Sequence, residues 1–148
     1  MSEEIKNPAE SDLSLFFENF IKTGIVTKER EIVPGFKVKL KVLNIGELMS
    51  AETISFQMNS DFPVDVVLKL RSASVLSQAI LSVNGIEILK DSNTKQENRS
   101  RQNLLYRQLL DMPAYVIQKT YELYIEAVEE QNNIYKTANS VGDKIENF

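Results

Sequence analysis

Apolar and polar residues follow two different rhythms along this chain, and the rhythm predicts which segments form helices and which form strands. Between residues 11 and 24 the spacing is helical, because apolar residues recur three and four positions apart and Gly24 supplies a stop. The apolar residues are Leu13, Phe16, Phe17, Phe20 and Ile21. This helix either lies on the core or presents Phe16, Phe17 and Phe20 to a partner. The polar residues 1–10 predict a loose arm.

A β-hairpin is predicted at residues 26–43. Its second strand alternates lysines with the apolar residues Phe36, Val38, Leu40 and Val42, which is the period of a half-buried strand. A three-residue loop sets Glu31 opposite Lys37 and Glu29 opposite Lys39, and a five-residue loop moves each pair along by one lysine. A two-residue loop places both glutamates opposite apolar residues. Because opposite charges stabilise a ladder, an odd loop length is favoured.

Two helices are predicted after the hairpin. Asn44 is placed to cap a helix over residues 45–58, and residues 64–83 form the most apolar stretch and predict a core helix. The inner side of the core helix is expected to carry Leu68, Val75, Leu76, Ala79, Ile80 and Val83. Asn84-Gly85 is interpreted as a Schellman stop to this helix, with a hairpin turn into residues 86–88 as the alternative.

The last third of the chain predicts two helices that break once, at Leu110-Asp111-Met112-Pro113. Residues 90–100 are polar and form either an exposed loop or the opening turns of the first helix, and residues 137–148 are a polar tail. The second helix carries two adjacent apolar seams. The first seam is Val116, Thr120, Leu123 and Ala127, and the second is Ile117, Tyr121, Tyr124 and Val128.

The two seams cannot both face one neighbour, because adjacent positions on a helix are about 100° apart. We therefore expect the first seam to pack on the preceding helices and the second to remain partly exposed as a partner-binding surface. Tyr121 and Tyr124 would anchor that surface, since tyrosine buries an apolar ring while its hydroxyl stays hydrated. Ile117 and Val128 complete it.

Composition narrows the range of functions. The 148 residues are 43% apolar and 26% charged, which fits one globular domain. The absence of cysteine and histidine removes thiol chemistry, the commonest general base and the commonest transition-metal ligand. A net charge of −4 gives no overall attraction to phosphates, so no nucleic-acid partner is expected. No apolar run reaches the roughly 20 residues of a membrane span, and the N-terminus does not resemble a signal peptide, so we expect a cytoplasmic protein.

Candidate chemistry is limited to carboxylates, lysines and hydroxyls. Glu126, Glu129 and Glu130 share a helical turn and are candidate ligands for a hard cation, although no EF-hand loop is present. The clustered bases of this half are Arg99, Arg101 and Arg107. They either contact a phosphate or an acidic partner, or form a solvated helix face. We expect no catalytic residue, cofactor, metal or small-molecule substrate.

Three short motifs follow one another between residues 36 and 131. The strand from Lys37 to Leu43 leads into a helix that starts at Asn44-Ile45-Gly46-Glu47-Leu48. A central helical segment runs from Leu70-Arg71 to Asn84-Gly85. Leu109-Leu110-Asp111-Met112-Pro113 opens a tyrosine-rich helix that ends near Glu129-Glu130-Gln131. In this order the motifs resemble small tail-morphogenesis proteins of tailed bacteriophages, namely the tail assembly chaperones and the T4-type baseplate-hub assembly proteins.

The resemblance implies a non-catalytic protein that binds tail or baseplate-hub proteins, or itself. It would act in the host cytoplasm as an assembly factor or stay in the virion as a component of the tail or baseplate. Some relatives in the hub assembly group carry a cysteine pair that looks metal-binding, and this chain has none, so no metal is implied. The alternatives are a structural accessory subunit of the neck or capsid and a small host-directed regulatory binding protein.

The fold class expected from these patterns is α+β. We predict one mainly α-helical domain at residues 11–136, with a single antiparallel hairpin at about 26–43. The residues expected to be buried are Val38, Leu40, Leu76, Ile80, Leu105, Leu109 and Val116.

Overall fold

The structure is a computed structural model that describes residues 15, 25–57 and 62–146, with the backbone alone over 53–57 and 137–146. The predicted helix with Phe16, Phe17 and Phe20 therefore lies outside the described residues, apart from Leu15. The described part of the chain forms four helices and one four-stranded antiparallel sheet. The predicted α+β class is confirmed, and the sheet is larger than the single hairpin expected.

Pairs of strands alternate with pairs of helices along the chain. In chain order they are β1 (Thr27–Val33), β2 (Phe36–Lys41), α1 (Ile45–Gln57), α2 (Val64–Ala79), β3 (Ile80–Val83), β4 (Ile86–Glu87), α3 (Lys95–Leu110) and α4 (Ala114–Glu146). The strand order in the sheet is β1-β2-β3-β4. Helix α4 lies against β1 and β2, and α2 contacts α1, α3 and α4. The core therefore sits where α2 and α4 meet each other and the sheet.

The first hairpin has the predicted charge pairing but a shorter turn than predicted. Val33 pairs with Phe36 across a two-residue turn, whereas Glu31 pairs with Lys37. Ile32 has no partner in the ladder, so a β-bulge shifts the register between the turn and the charged pairs. The prediction of an odd-length loop is wrong, while the opposite-charge pairs from which it was argued are present.

The core helix ends earlier than predicted. Helix α2 stops at Ala79, and the next four residues form β3, which pairs with β2. Asn84 and Gly85 have φ angles of 52° and 81° and connect β3 to β4. Two successive positive φ values are the signature of a type I′ hairpin turn, which Asn-Gly adopts readily. The Schellman stop is therefore wrong and the hairpin alternative is right, because strand pairing outweighs a helical apolar period.

The start of α1 and the break between α3 and α4 lie where they were predicted, whereas the last helix runs further than predicted. Asn44 caps α1, since its Oδ1 accepts a hydrogen bond from the Glu47 backbone N–H at 2.8 Å. Thr94 makes a complete capping box at the start of α3, so residues 95–100 are the opening turns of that helix. Helices α3 and α4 are separated at the predicted break before Ala114. Helix α4 continues to Glu146, through most of the stretch expected to be a polar tail.

The predicted core is confirmed with three exceptions. The buried residues that were predicted include Val38, Leu40, Leu76, Ile80, Leu105 and Leu109. Val116 and Val83 are only partly buried, and Leu68, expected like Val83 on the inner side of the core helix, is 55% exposed. Ser74 is fully buried and donates a hydrogen bond of 2.7 Å to the carbonyl oxygen of Ala51, which ties α2 to α1.

Within the residues described, no helix has the length and apolar character needed to cross a membrane.

Candidate functional site

The two apolar seams of α4 are both used inside the chain. Thr120, Leu123 and Ala127 of the first seam are fully buried, as expected. Tyr124 of the second seam is 4% exposed and Ile117 is 7% exposed, while Tyr121 and Val128 are half-buried. The prediction that the second seam, and Tyr124 in particular, remains open to a partner is therefore wrong for Ile117 and Tyr124.

The physical reason is that α4 has two internal neighbours. Helix α2 covers one side of α4, and strands β1 and β2 cover the other. Tyr124 forms a hydrogen bond with the backbone of Leu43, and burial raises the pKa of its phenol above the ordinary value. Its ring centroid lies 5.8 Å from that of Tyr121, at an angle of 37°. Tyr124 thus belongs to the core. Its aromatic neighbour Tyr121 lies at the edge of the core.

Tyr121 opens onto a groove between α2 and α4. The groove has a volume of about 300 Å³ and is partly open to solvent. Its residues from α2 are Leu68, Lys69 and Ser72, and its residues from α4 are Ala114, Ile117, Gln118, Tyr121 and Glu122. We call this feature the α2–α4 groove. Two of the residues proposed from the sequence as partner-binding, Ile117 and Tyr121, lie in it.

Small side chains create the gap between the two helices. Ser72 lies one turn after Leu68 on α2, and Ala114 is the first residue of α4, so neither fills the space between the helix axes. The Ser72 hydroxyl donates a hydrogen bond of 3.0 Å to the Leu68 carbonyl oxygen of its own helix. That hydroxyl is therefore satisfied internally, and the groove remains mainly apolar.

A comparison with known protein families, curated proteins and solved structures finds no match to this chain. The functional interpretation therefore depends on the chemistry of the α2–α4 groove. Leu68, Ile117 and Tyr121 provide apolar contact, and the charged groups Lys69 and Glu122 are exposed. Such a site is suited to apolar side chains of another molecule, with polar contacts at its margin.

A second feature, between β1 and α4, is charged. Arg30 forms a two-point contact with the Glu126 carboxylate, at 2.7 and 3.2 Å, and Lys28 lies 2.9 Å from Glu130. The hydrogen bond to Arg30 lowers the pKa of Glu126, and the same contact raises the pKa of Arg30. These pairs border an open recess of about 630 Å³ that also includes Glu129.

The pairing changes the interpretation of the acidic turn on α4. Of the three glutamates considered for a hard cation, Glu126 and Glu130 are engaged by bases from β1. Among the described residues there is no group of three acidic residues placed to hold a metal ion. The recess is thus a salt-bridged contact between β1 and α4.

Two arginines of α3, Arg99 and Arg101, make different contacts. Arg101 donates a hydrogen bond of 2.8 Å to the carbonyl oxygen of Glu87 and so ties α3 to β4. Arg99 lies with Lys95 beside an open polar recess at the start of α3. Arg99 and Arg101 therefore lie in different surroundings, although they are close in sequence.

Six of the groove residues were not proposed from the sequence as partner-binding, namely Leu68, Lys69, Ser72, Ala114, Gln118 and Glu122. Leu68 was placed on the inner side of α2 because it is seven residues from Val75, which is close to two helical turns. Val75 is buried and Leu68 is not, and the buried residues of α2 all fall within its second half, between Ala73 and Ala79. Apolar periodicity shows which face of a helix is covered, and it does not show how far along the helix the cover extends.

Proposed function

We propose that this protein is a non-catalytic morphogenesis factor of a bacteriophage tail or baseplate, and that it binds an apolar helix of a tail or baseplate-hub protein in the α2–α4 groove. The observation that carries the proposal is the half-buried Tyr121 beside the exposed Leu68, in the groove between α2 and α4. The phage assignment rests on the resemblance of residues 36–131 to tail-morphogenesis proteins.

A helix is the occupant that fits this groove best. An amphipathic helix docks by inserting side chains at positions i, i+3 or i+4, and i+7 into an apolar cleft between elements. The groove is formed by two helices and is lined by Leu68, Ile117 and Tyr121, so a third helix would complete a three-helix packing arrangement. Lys69 and Glu122 carry opposite charges and can contact polar residues on the flanks of such a helix.

Leu68 and Tyr121 are the expected energetic centre of the contact. Binding energy concentrates in a few side chains at the middle of an interface, and tyrosine is enriched among them. The groove holds no pair of titratable groups that are buried together. We therefore propose that it binds a partner and does not catalyse a reaction. Self-association through the same groove is a second form of the same proposal.

The decisive experiment compares two leucine variants. Leu68 and Leu104 are 55% and 56% exposed, both lie on helices, and only Leu68 lines the groove. Purified wild type, Leu68→Asp and Leu104→Asp are titrated by calorimetry against the tail-tube, tape-measure and baseplate-hub proteins encoded beside the gene. Light scattering of the protein alone measures self-association, and circular dichroism verifies that each variant is folded.

We expect one of these proteins to bind the wild type, and Leu68→Asp to weaken that binding by about 2 kcal/mol or more, roughly thirtyfold, because a charge would enter the apolar centre of the contact. Leu104→Asp should bind like the wild type. If no tail or baseplate protein binds, and the protein does not self-associate, the proposed function is wrong. Equal binding by the two variants would show that the contact lies elsewhere on the molecule.

A further inference from the structure

Asn84 joins the two hairpins of the sheet. Its backbone N–H donates to the Lys37 carbonyl oxygen at 2.8 Å, and its side-chain Oδ1 accepts from the Lys37 N–H at 2.8 Å. Its Nδ2 donates to the Gly35 carbonyl oxygen at 2.9 Å. One side chain in the turn between β3 and β4 therefore holds the turn between β1 and β2.

The residue that follows Asn84 makes this amide chemically unstable. Asn84 is the only asparagine in the sequence that is followed by glycine. The nitrogen of a following residue can attack the side-chain Cγ of asparagine, and glycine hinders this attack least because it has no Cβ. We propose that Asn84 is a site of spontaneous deamidation that is protected while its side chain bonds the first hairpin, and that the reaction, once complete, permanently loosens the contact between the two turns.

The reaction needs only water. The deprotonated backbone nitrogen of Gly85 forms a bond to Cγ of Asn84, and the bond from Cγ to Nδ2 breaks to release ammonia. The product is a five-membered succinimide. One water molecule then opens either of its two carbonyl groups, which gives aspartate or isoaspartate at residue 84. The net change is one water consumed and one ammonia released.

The folded structure opposes the first step. Attack requires Cγ of Asn84 to turn towards the Gly85 nitrogen and Nδ2 to be free to leave. Both polar atoms of the amide are held by the first hairpin instead, at 2.8 and 2.9 Å. Two hydrogen bonds of ordinary strength reduce the open fraction roughly tenfold or more. The rate in the native protein should therefore follow the local opening of this turn.

The products cannot restore the junction. An aspartate carboxylate has no proton to donate to the Gly35 carbonyl oxygen, and two oxygens would face each other at the 2.9 Å now spanned by a hydrogen bond. Isoaspartate also adds a methylene to the backbone within a two-residue turn, which alters the register between β3 and β4. Either product should leave the helices intact and loosen the contact between the hairpins.

The rate of deamidation is measured on the full chain by peptide mass spectrometry, in mildly alkaline buffer with and without denaturing urea. We expect Asn84 to lose its amide faster than every other asparagine in urea, and at least about tenfold more slowly in native buffer than in urea. A native rate equal to the rate in urea would overturn the proposed protection. A rate in urea no faster than that of the other asparagines would overturn the proposed site.

The consequence of the reaction is tested with Asn84→Asp, which has the chemistry of one product. Asn103→Asp is the matched control, since Asn103 is exposed on α3, far along the chain from either hairpin turn. The carboxylate of Asn84→Asp can still accept from the Lys37 N–H, so the expected change comes from the lost bond to Gly35 and from the two oxygens that then face each other. Hydrogen exchange at the backbone amide of residue 84, which donates to the Lys37 carbonyl oxygen, should be at least severalfold faster in Asn84→Asp than in the wild type and unchanged in Asn103→Asp. Equal exchange in all three proteins would show that the bond from Asn84 to Gly35 does not hold the hairpins together.

Discussion

Truncation of Tyr124 tests whether the second seam of α4 is core or surface. Tyr124 is 4% exposed, whereas its neighbour Tyr121 is half-buried at the margin of the α2–α4 groove. Removing a fully buried aromatic ring destabilises a protein by about 3–5 kcal/mol, because apolar burial is lost and a cavity remains. We expect this loss for Tyr124→Ala and a smaller one, roughly 1–2 kcal/mol, for Tyr121→Ala.

A third variant separates the ring from its hydroxyl. Tyr124→Phe keeps the ring and removes the hydrogen bond with the backbone of Leu43, so we expect a loss of about 1 kcal/mol. The order of stability should be wild type, then Tyr124→Phe, and last Tyr124→Ala. A typical domain has a free energy of unfolding of about 5–15 kcal/mol. Tyr124→Ala should therefore remain folded at low temperature, with a small remaining free energy of unfolding.

The assay is urea unfolding followed by circular dichroism, with the free energy of unfolding taken by linear extrapolation. The three variants and the wild type are measured at one pH and one temperature. If Tyr121→Ala and Tyr124→Ala reduce the free energy of unfolding by the same amount, the distinction between a core tyrosine and a groove tyrosine is wrong. A loss below about 1 kcal/mol for Tyr124→Ala would likewise contradict its assignment to the core.

Two further predictions concern single contacts. Glu126→Gln should reduce the free energy of unfolding by no more than about 1 kcal/mol at neutral pH, because both partners of the pair with Arg30 are well exposed. Since the pKa of Glu126 is lowered in the folded state, its contribution is present above the unfolded pKa and is lost as the pH falls through the folded pKa, so urea melts of the two proteins should converge in acid. Ser74→Ala should cost about 1 kcal/mol in the same melts, because it removes the buried bond to Ala51; no change would show that this bond is not stabilising.

The sequence predicted most of the helices and the first hairpin because their signals are local. Alternation of lysine with apolar residues at 36–42 is present whatever the rest of the chain does. Asn44 caps α1 with a side chain three positions from its bonding partner, and Pro113 lies at the break between α3 and α4. Features of this kind depend on neighbours within one turn of helix or strand.

The predictions that failed depend on contacts between distant segments. Residues 80–83 continue the apolar pattern of α2, and only the presence of β2 beside them makes them a strand. Ile32 becomes a bulge because the turn and the charged pairs favour different registers, and the sequence shows each preference without showing that both are satisfied. Leu68 is exposed because the groove beside it separates α2 from α4 at that point. None of these outcomes is encoded at one position.

The width of the apolar face on α4 has a different meaning in the structure than in the sequence. Two adjacent seams predicted a second partner for the helix, and that partner exists within the chain, because α2 covers one side while β1 and β2 cover the other. This arrangement buries Tyr124 within the chain. Near the start of α4, however, the residues of α2 that face Tyr121 are Leu68 and Ser72. Leu68 is itself exposed and Ser72 is small, so Tyr121 is not fully covered. The part of the face that the described residues leave partly uncovered is therefore the α2–α4 groove, and the proposed partner would contact Tyr121 together with α2.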